Sequence, residues 1–286
     1  MTLMEKVLKA AEPHIKDKGI TVTDGVAGLN FAGVQLSNGN CHFVYMMREA
    51  LPSGDLIFPY APAMIGKDAW EVAQWALTGA EDLQRSFGVA VLNACSPYFR
   101  DPEFTGLREN PREHVLSSSQ YYNGPGKDSG RFDFYDDISK EDVLGVVGYM
   151  PPIVNKWKDK VKELIVFDRA IDMQGSVEGY TVTHFTEEKN ILPRCTLVTV
   201  TGTSMINHTT DDILSYCTNA RDVLLTGFSL PFYPEAYVGS GIGALSCVYF
   251  EPDSAALFKP LSLAAGRDLV HTYGHGVYLR IAERRY

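Results

Sequence analysis

Two rhythms of apolar residues divide the chain, and the change falls near residue 140. Residues 4–18 carry amphipathic helical spacing closed by Gly19, and three short extended runs follow around Ile20–Asp24, Ala32–Leu36 and His42–Met46. The SNGN stretch between the last two reads as a hairpin turn. Two helices are expected next, over Asp68–Leu77 and Glu81–Ala94; Leu83, Phe87, Ala90, Val91 and Ala94 share one face of the second. Strands bundled early with helices on one side make an α+β unit over residues 1–98.

Residues 99–140 keep no period beyond one turn and are rich in Pro, Gly, Ser and alternating charges, with Phe and Tyr interspersed. Such a stretch is either a lid or a linker. From 141 to 286 continuous apolar runs alternate with helical stretches: strands at 143–148, 164–168, 196–202, 222–227, 244–250 and 277–281, helices at Pro151–Lys160, Thr209–Cys217 and near Asp253–Ala264, and a short one at Pro231–Tyr237. Strands that are apolar throughout belong in a parallel sheet covered on both faces, so this half is expected to be a Rossmann-like α/β domain with a mainly parallel sheet.

That layout says where chemistry belongs. In an open parallel sheet ligands lie beyond the carboxyl ends of the strands, and Gly148, Gly202 and Gly227 each end one. They are expected to let backbone approach a shared ligand, although each also serves simply to turn the chain. In VTVTGTSMINHTTDDIL, residues 198–214, Thr203, Ser204 and Asn207 fall in a polar loop after a strand. Thr209 with Asp212 fits a capping box that starts the next helix, leaving the three upstream residues to bind an anionic or carbonyl-rich group or to close local turns. Asp168 ends the second strand, 20 residues after Gly148, where dinucleotide folds place a ribose acceptor. The first loop reads GVVGYMPP, not GxGxxG, so Asp168 is expected to accept hydrogen bonds from a polar ligand other than NAD. Asn93, near the buried end of its helix, must be hydrogen-bonded to backbone or to a ligand.

Composition trims these readings. The net charge of −9 argues against a nucleic-acid or anionic-membrane partner. With 45% apolar and 21% charged residues the chain has material for a sizeable core, no apolar run reaches transmembrane length, and the charged N-terminus is no signal peptide. Five cysteines without a CxxC pair (Cys41, Cys95, Cys195, Cys217 and Cys247) read as reduced thiols of a cytoplasmic protein. No metal site is expected: Gly274 breaks any helix aligning His271 with His275, and His42, His184 and His208 stand alone. GFSLP resembles a nucleophile elbow only superficially, since Pro231 replaces its second glycine.

Four segments, in this order, resemble the putative heavy-metal chelation family: FGVAVLNA, GVVGYMP, LPRCTLVTVTGTSMINHT and VLLTGFSLPFYPE. The likeness covers both halves, with Thr201–Asn207 its most specific piece. It implies a small enolase-N-terminal-like domain joined to a Rossmann-like one, in a cytoplasmic protein with its site between the two. The implied role is handling or synthesis of a metal-chelating, pterin-like small molecule. Residue by residue, the resemblance carries Asn93, Asp168, Gly202, Thr203, Ser204, Asn207 and Gly227 into that site. Asn93 and Asp168 would orient substrate or move protons there. The family's usual Asn-Gly-Thr reads Asn207-His208-Thr209 here, which puts a bulkier side chain at the turn, and the 100–140 stretch is long for the family. Two rival readings stay open: a non-catalytic protein that sequesters a metal–chelator complex, and a nucleotide- or S-adenosylmethionine-dependent transferase. The sequence names no cofactor and no oligomeric state.

Overall fold

The computed structural model describes residues 1–47, 58–99, 138–169 and 180–282, together with residue 134 and short strands at 114–116 and 175–177. The chain opens on a helix at Leu3–Ile15, where Thr2 and Glu5 form a reciprocal capping box. Lys16 is already extended, so this helix stops three residues short of the expected end. Strands β1 (Val22–Ala27), β2 (Phe31–Leu36) and β3 (Cys41–Tyr45) form an antiparallel sheet. The SNGN turn joins β2 to β3, with Gly39 at φ +85°. The helix expected over Asp68–Leu77 is two short ones, Ala69–Ala73 and Trp75–Thr78, and the long helix Asp82–Ala94 packs on them and on the sheet.

A nine-stranded sheet carries the rest. Its strands are β4 (His114–Leu116), β5 (Val143–Val147), β6 (Glu163–Asp168), β7 (Gly175–Val177), β8 (Tyr180–His184), β9 (Leu197–Thr201), β10 (Asp222–Thr226), β11 (Ala244–Phe250) and β12 (Gly274–Arg280). They lie in the order β4-β12-β11-β10-β9-β5-β6-β8-β7. From β11 through β8 every neighbouring pair is parallel, while β12 and β7 are antiparallel to their partners β11 and β8. The chain thus makes a mixed α/β fold of one large, mostly parallel sheet and one small antiparallel sheet. Numbered in chain order, the parallel strands run 3-2-1-4-5-6, and the order reverses between β5 and β9. β4, inside the stretch expected to be irregular, pairs in parallel with β12; the lid-or-linker question otherwise falls on residues outside those described. β7, β8 and a closing helix at Arg267–Tyr273 were not foreseen.

The amino ends of the strands are locked by charge. Asp142, before β5, accepts from the Thr196 hydroxyl at 2.7 Å and from the Arg221 guanidinium at 3.0 Å. At the start of β10, Asp222 pairs with Arg280 at 2.6 Å, both buried. The carboxyl ends are left for the site.

Both sheets share one core. A single apolar cluster runs from Val7, Leu36 and Phe87 to Val200, Leu225 and Leu245. Its polar fasteners come from the loop after β10. The Asn93 amide donates to the Leu230 carbonyl and accepts from the Phe232 N–H, each at 2.9 Å. The Tyr45 N–H donates to the Ser229 hydroxyl at 3.0 Å, and His42 Nε2 donates to the Phe228 carbonyl at 2.8 Å. Ser229, the serine of GFSLP, is buried in this seam.

Candidate functional site

A cavity of about 330 Å³ opens at the carboxyl ends of β5, β6 and β9, where the strand order reverses. Crevices at that place are where open α/β sheets bind ligands. The floor follows from strand pairing. Gly148 continues β5 with φ +87°, and its N–H donates to the Phe167 carbonyl at 2.8 Å, tying the tips of β5 and β6 together. A Cβ at Gly148 would lie 2.7 Å from Thr201 Cγ2, so only glycine lets β5 and β9 close here. The next N–H, of Tyr149, donates to Asp168 Oδ2 at 2.7 Å and fixes that carboxylate at the rim.

One wall was not foreseen. Asp168 pairs in register with His184, which sets the turn after β8 beside the end of β6. His184 caps that turn: its Nδ1 lies 2.7 Å from the Thr186 hydroxyl. The turn presents Phe185, whose ring carries the Arg169 guanidinium 4.9 Å from its centre, and then the short helix Glu188–Ile191. Glu188 lines the cavity, and burial pushes its carboxyl up to about 7; Arg169 pulls against that and Asp168 adds to it. Lys189 also lines the cavity, so both signs of charge meet there.

On the opposite wall the polar segment after β9 is a helical turn, Thr203–Ile206, not a loop. Its hydroxyls are largely engaged locally. The Ser204 hydroxyl donates to the Thr201 carbonyl at 2.8 Å and meets the Thr210 hydroxyl at 2.7 Å, while those of Thr201 and Thr203 lie 3.1 Å apart. The expected Thr209–Asp212 capping box is absent. Thr209 has helical backbone angles and instead donates its hydroxyl to Asn207 Oδ1 at 2.7 Å, and the helix runs Thr210–Tyr216. The Asn207 amide nitrogen lies 3.7 Å from Met47 Sδ, the contribution of the small sheet's side to the cavity lining among the described residues. His208 stands at φ +59°, and its Nε2 donates to the Ala76 carbonyl at 2.8 Å.

The structure therefore gathers Gly148, Asp168, Thr203, Ser204 and Asn207 around one cavity and leaves Asn93, Gly202 and Gly227 outside it. Asn93 is fully buried in the seam, its amide committed to backbone. A Cβ at Gly202 would lie 2.5 Å from Leu230 N, and Gly227 turns at φ +120°. Gly202 thus admits the 228–233 loop against the end of β9, Gly227 turns the chain into that loop, and neither lines the cavity.

Among the described residues no three His, Cys, Asp or Glu side chains come together as a metal ion would require. His271 meets the Phe228 ring edge-on at 4.9 Å, and His275 stacks on Tyr249 at 5.1 Å. None of the five cysteines is in a disulfide, and burial pushes the Cys195 and Cys217 thiols up to about 12, far from nucleophilic. No helix among the described residues is long and apolar enough to cross a membrane.

Known proteins share this architecture. Crystal structures of two proteins of unknown function align over almost the whole chain at 19% identity. The one from Pyrococcus horikoshii gives a TM-score of 0.71 over 98% of this chain and 100% of its own. The one from Desulfitobacterium hafniense gives 0.70 over 97% and 98%. An uncharacterized protein of Methanocaldococcus jannaschii is 30% identical over 178 residues, which make up 62% of this chain and 59% of that relative. Two family models, both described as putative heavy-metal chelation, match residues 8–96 and 131–280. The second alone spans more than half of the sequence, includes every strand tip that builds the cavity, and is the family of both crystal structures. The chain belongs to the putative heavy-metal chelation family.

Proposed function

We propose that this protein binds and handles a small, polar, metal-chelating molecule of pterin-like chemistry at the tips of β5, β6 and β9. The observation that carries the reading is the Asp168 carboxylate, pinned by the Tyr149 N–H at the reversal of strand order and lining a cavity with Arg169, Glu188 and Lys189. Convergent polar groups of both signs in a cavity of this size suit a compact, hydrogen-bonding guest. The described residues do not fit a protein-held ion, so in this reading the metal is cargo that arrives inside its chelator. Asp168 orients the guest, and the Thr203–Asn207 turn faces its carbonyl or anionic edge. Whether the protein turns its guest over or only sequesters it is decided by looking for product after incubation.

Mass spectrometry of molecules released on denaturation, followed by thermal shift against pterins and their zinc and nickel complexes, tests this. A guest at 100 times its dissociation constant stabilises by about 2.7 kcal/mol. Asp168→Asn and the cavity-filling Thr203→Phe should each weaken it at least ten-fold. A protein that responds to no small molecule, or responds equally in both variants, ends the reading. The Rossmann-like strand order and the acceptor at the end of its second strand favour one rival, an S-adenosylmethionine- or nucleotide-dependent transferase. A shift with S-adenosylmethionine alone would put that rival first.

A further inference from the structure

Glu188 is out of place as a structural residue. Its side chain lines the cavity and the residue is only 9% exposed, yet among the described residues no side chain or backbone group hydrogen-bonds its carboxyl. Its oxygens are not among the sealed, unpartnered polar atoms of the described residues, so they open onto the cavity, where a guest can meet them. Charge around it is divided. Asp168 and Arg169 face it from the end of β6, Lys189 follows it on its own helix, Asp212 lines the cavity from the helix Thr210–Tyr216, and the Cys217 thiol lies behind. No cation reaches it as an ion-pair partner among the described residues.

A carboxyl in these surroundings holds its proton near neutrality, and the protonated group has one O–H donor beside one acceptor oxygen. That pair matches, in two parallel hydrogen bonds, any planar edge with an acceptor next to an N–H: the lactam or amino-azine edge of a nitrogen heterocycle. We propose that Glu188 is the residue that reads such an edge, binding it as the neutral acid with its hydroxyl donating to the ring acceptor and its carbonyl oxygen accepting from the neighbouring N–H. No proton leaves and no bond is made; the step is recognition. This rests on the cavity being the ligand site and adds the chemistry of the guest. A nearby Asp168 carboxylate then suits the donor-rich remainder of the same guest.

Calorimetric titration of the full chain with pterin, adenine and isocytosine, all bearing that edge, and with unsubstituted pteridine, which lacks it, tests the assignment. At least one edge-bearing probe should bind and pteridine should not. Glu188→Gln keeps a donor and an acceptor at every pH and should bind within about three-fold of the wild type. Glu188→Ala, its folding checked by thermal denaturation, should bind at least ten-fold more weakly. Wild-type affinity should fall roughly ten-fold from pH 6 to pH 8 while the Gln variant stays level, because about one carboxyl in ten remains protonated one unit above a midpoint near 7. Binding that survives in Glu188→Ala, or strengthens with pH, or is lost in Glu188→Gln, overturns the proposal, as does failure of all three probes. A metal–chelator complex that binds wild type and Glu188→Ala alike leaves the cavity as the ligand site and ends only this assignment; if nothing small binds at all, both go.

Discussion

Glu188 and His208 show side chains held against their own preference. Burial raises the Glu188 carboxyl to about 7 from an ordinary 4.5, so the folded state favours the neutral form. The sign follows by linkage: the stability tied to this group is complete below pH 4.5, where folded and unfolded chains are both protonated, and is lost as pH rises through 7. Glu188→Gln should therefore flatten the decline between pH 5 and pH 8 and leave the variant more stable than wild type at pH 8 by about 2 kcal/mol, read from urea denaturation at both pH values. His208 is the reverse case. Its backbone lies at φ +59°, a left-handed conformation that costs an L-residue roughly 1–2 kcal/mol, and the bond from Nε2 to the Ala76 carbonyl offsets it. His208→Ala keeps the strain and loses the bond, so it should destabilise by about 1 kcal/mol. His208→Gly loses both and should stay within about 0.5 kcal/mol of wild type. Equal losses in the two variants would show that the left-handed turn is unstrained.

Among the elements, the long helix Asp82–Ala94 is fixed by one contact that its sequence disguises. Gly88 lies in its middle, where alanine would favour the helix by about 1 kcal/mol. Yet a Cβ there would lie 2.1 Å from the Ala76 backbone nitrogen on the neighbouring helix. Gly88→Ala should cost at least about 2 kcal/mol in chemical denaturation, because backbone cannot move aside as a side chain can. The same contrast between local and distant causes decides how much of the molecule could be read beforehand. Ala244–Phe250 was legible to the residue, since a short, mostly apolar run ending in aromatics and bounded by turns needs no partner to be recognised. Gly148, Asp168 and the Thr203–Asn207 segment were legible because strand ends and their polar loops are local signals. Glu188 was not, because the wall it sits on exists only through the parallel pairing of β6 with β8, which brings His184 opposite Asp168. Asn93 was half legible: an amide at that helix end had to be satisfied, but its partners lie 137 and 139 residues away. The alternation in YTVTHF was the one available sign of β8, and finding it would have pointed to the turn that carries Glu188.

For the molecule as a whole, the placement of Asn93 and Asp168 separates what holds the two sheets together from what would hold a guest. The apolar cluster is continuous across both, so the protein should unfold in one transition despite its two sheets. Asn93 sits in the seam of that cluster and Asp168 at the rim of the cavity, and the two residues should fail in opposite ways. Asn93→Ala leaves the buried Phe232 N–H without its acceptor and reduces the Leu230 carbonyl to the weak Cys247 thiol donor at 3.4 Å; an unpaired buried group costs about 1–3 kcal/mol, so the variant should lower unfolding free energy by about 2 kcal/mol. Guest affinity, measured well below the melting temperature, should then stay within about two-fold, since nothing lining the cavity touches that amide. Asp168→Asn keeps an acceptor for the Tyr149 N–H and should shift stability little while weakening the guest at least ten-fold. Denaturation and calorimetry on the same two variants give four values, and only this crossed outcome fits a site confined to the tips of β5, β6 and β9. Loss of affinity in Asn93→Ala at unchanged stability would move the site into the seam between the sheets, where the family resemblance had placed it.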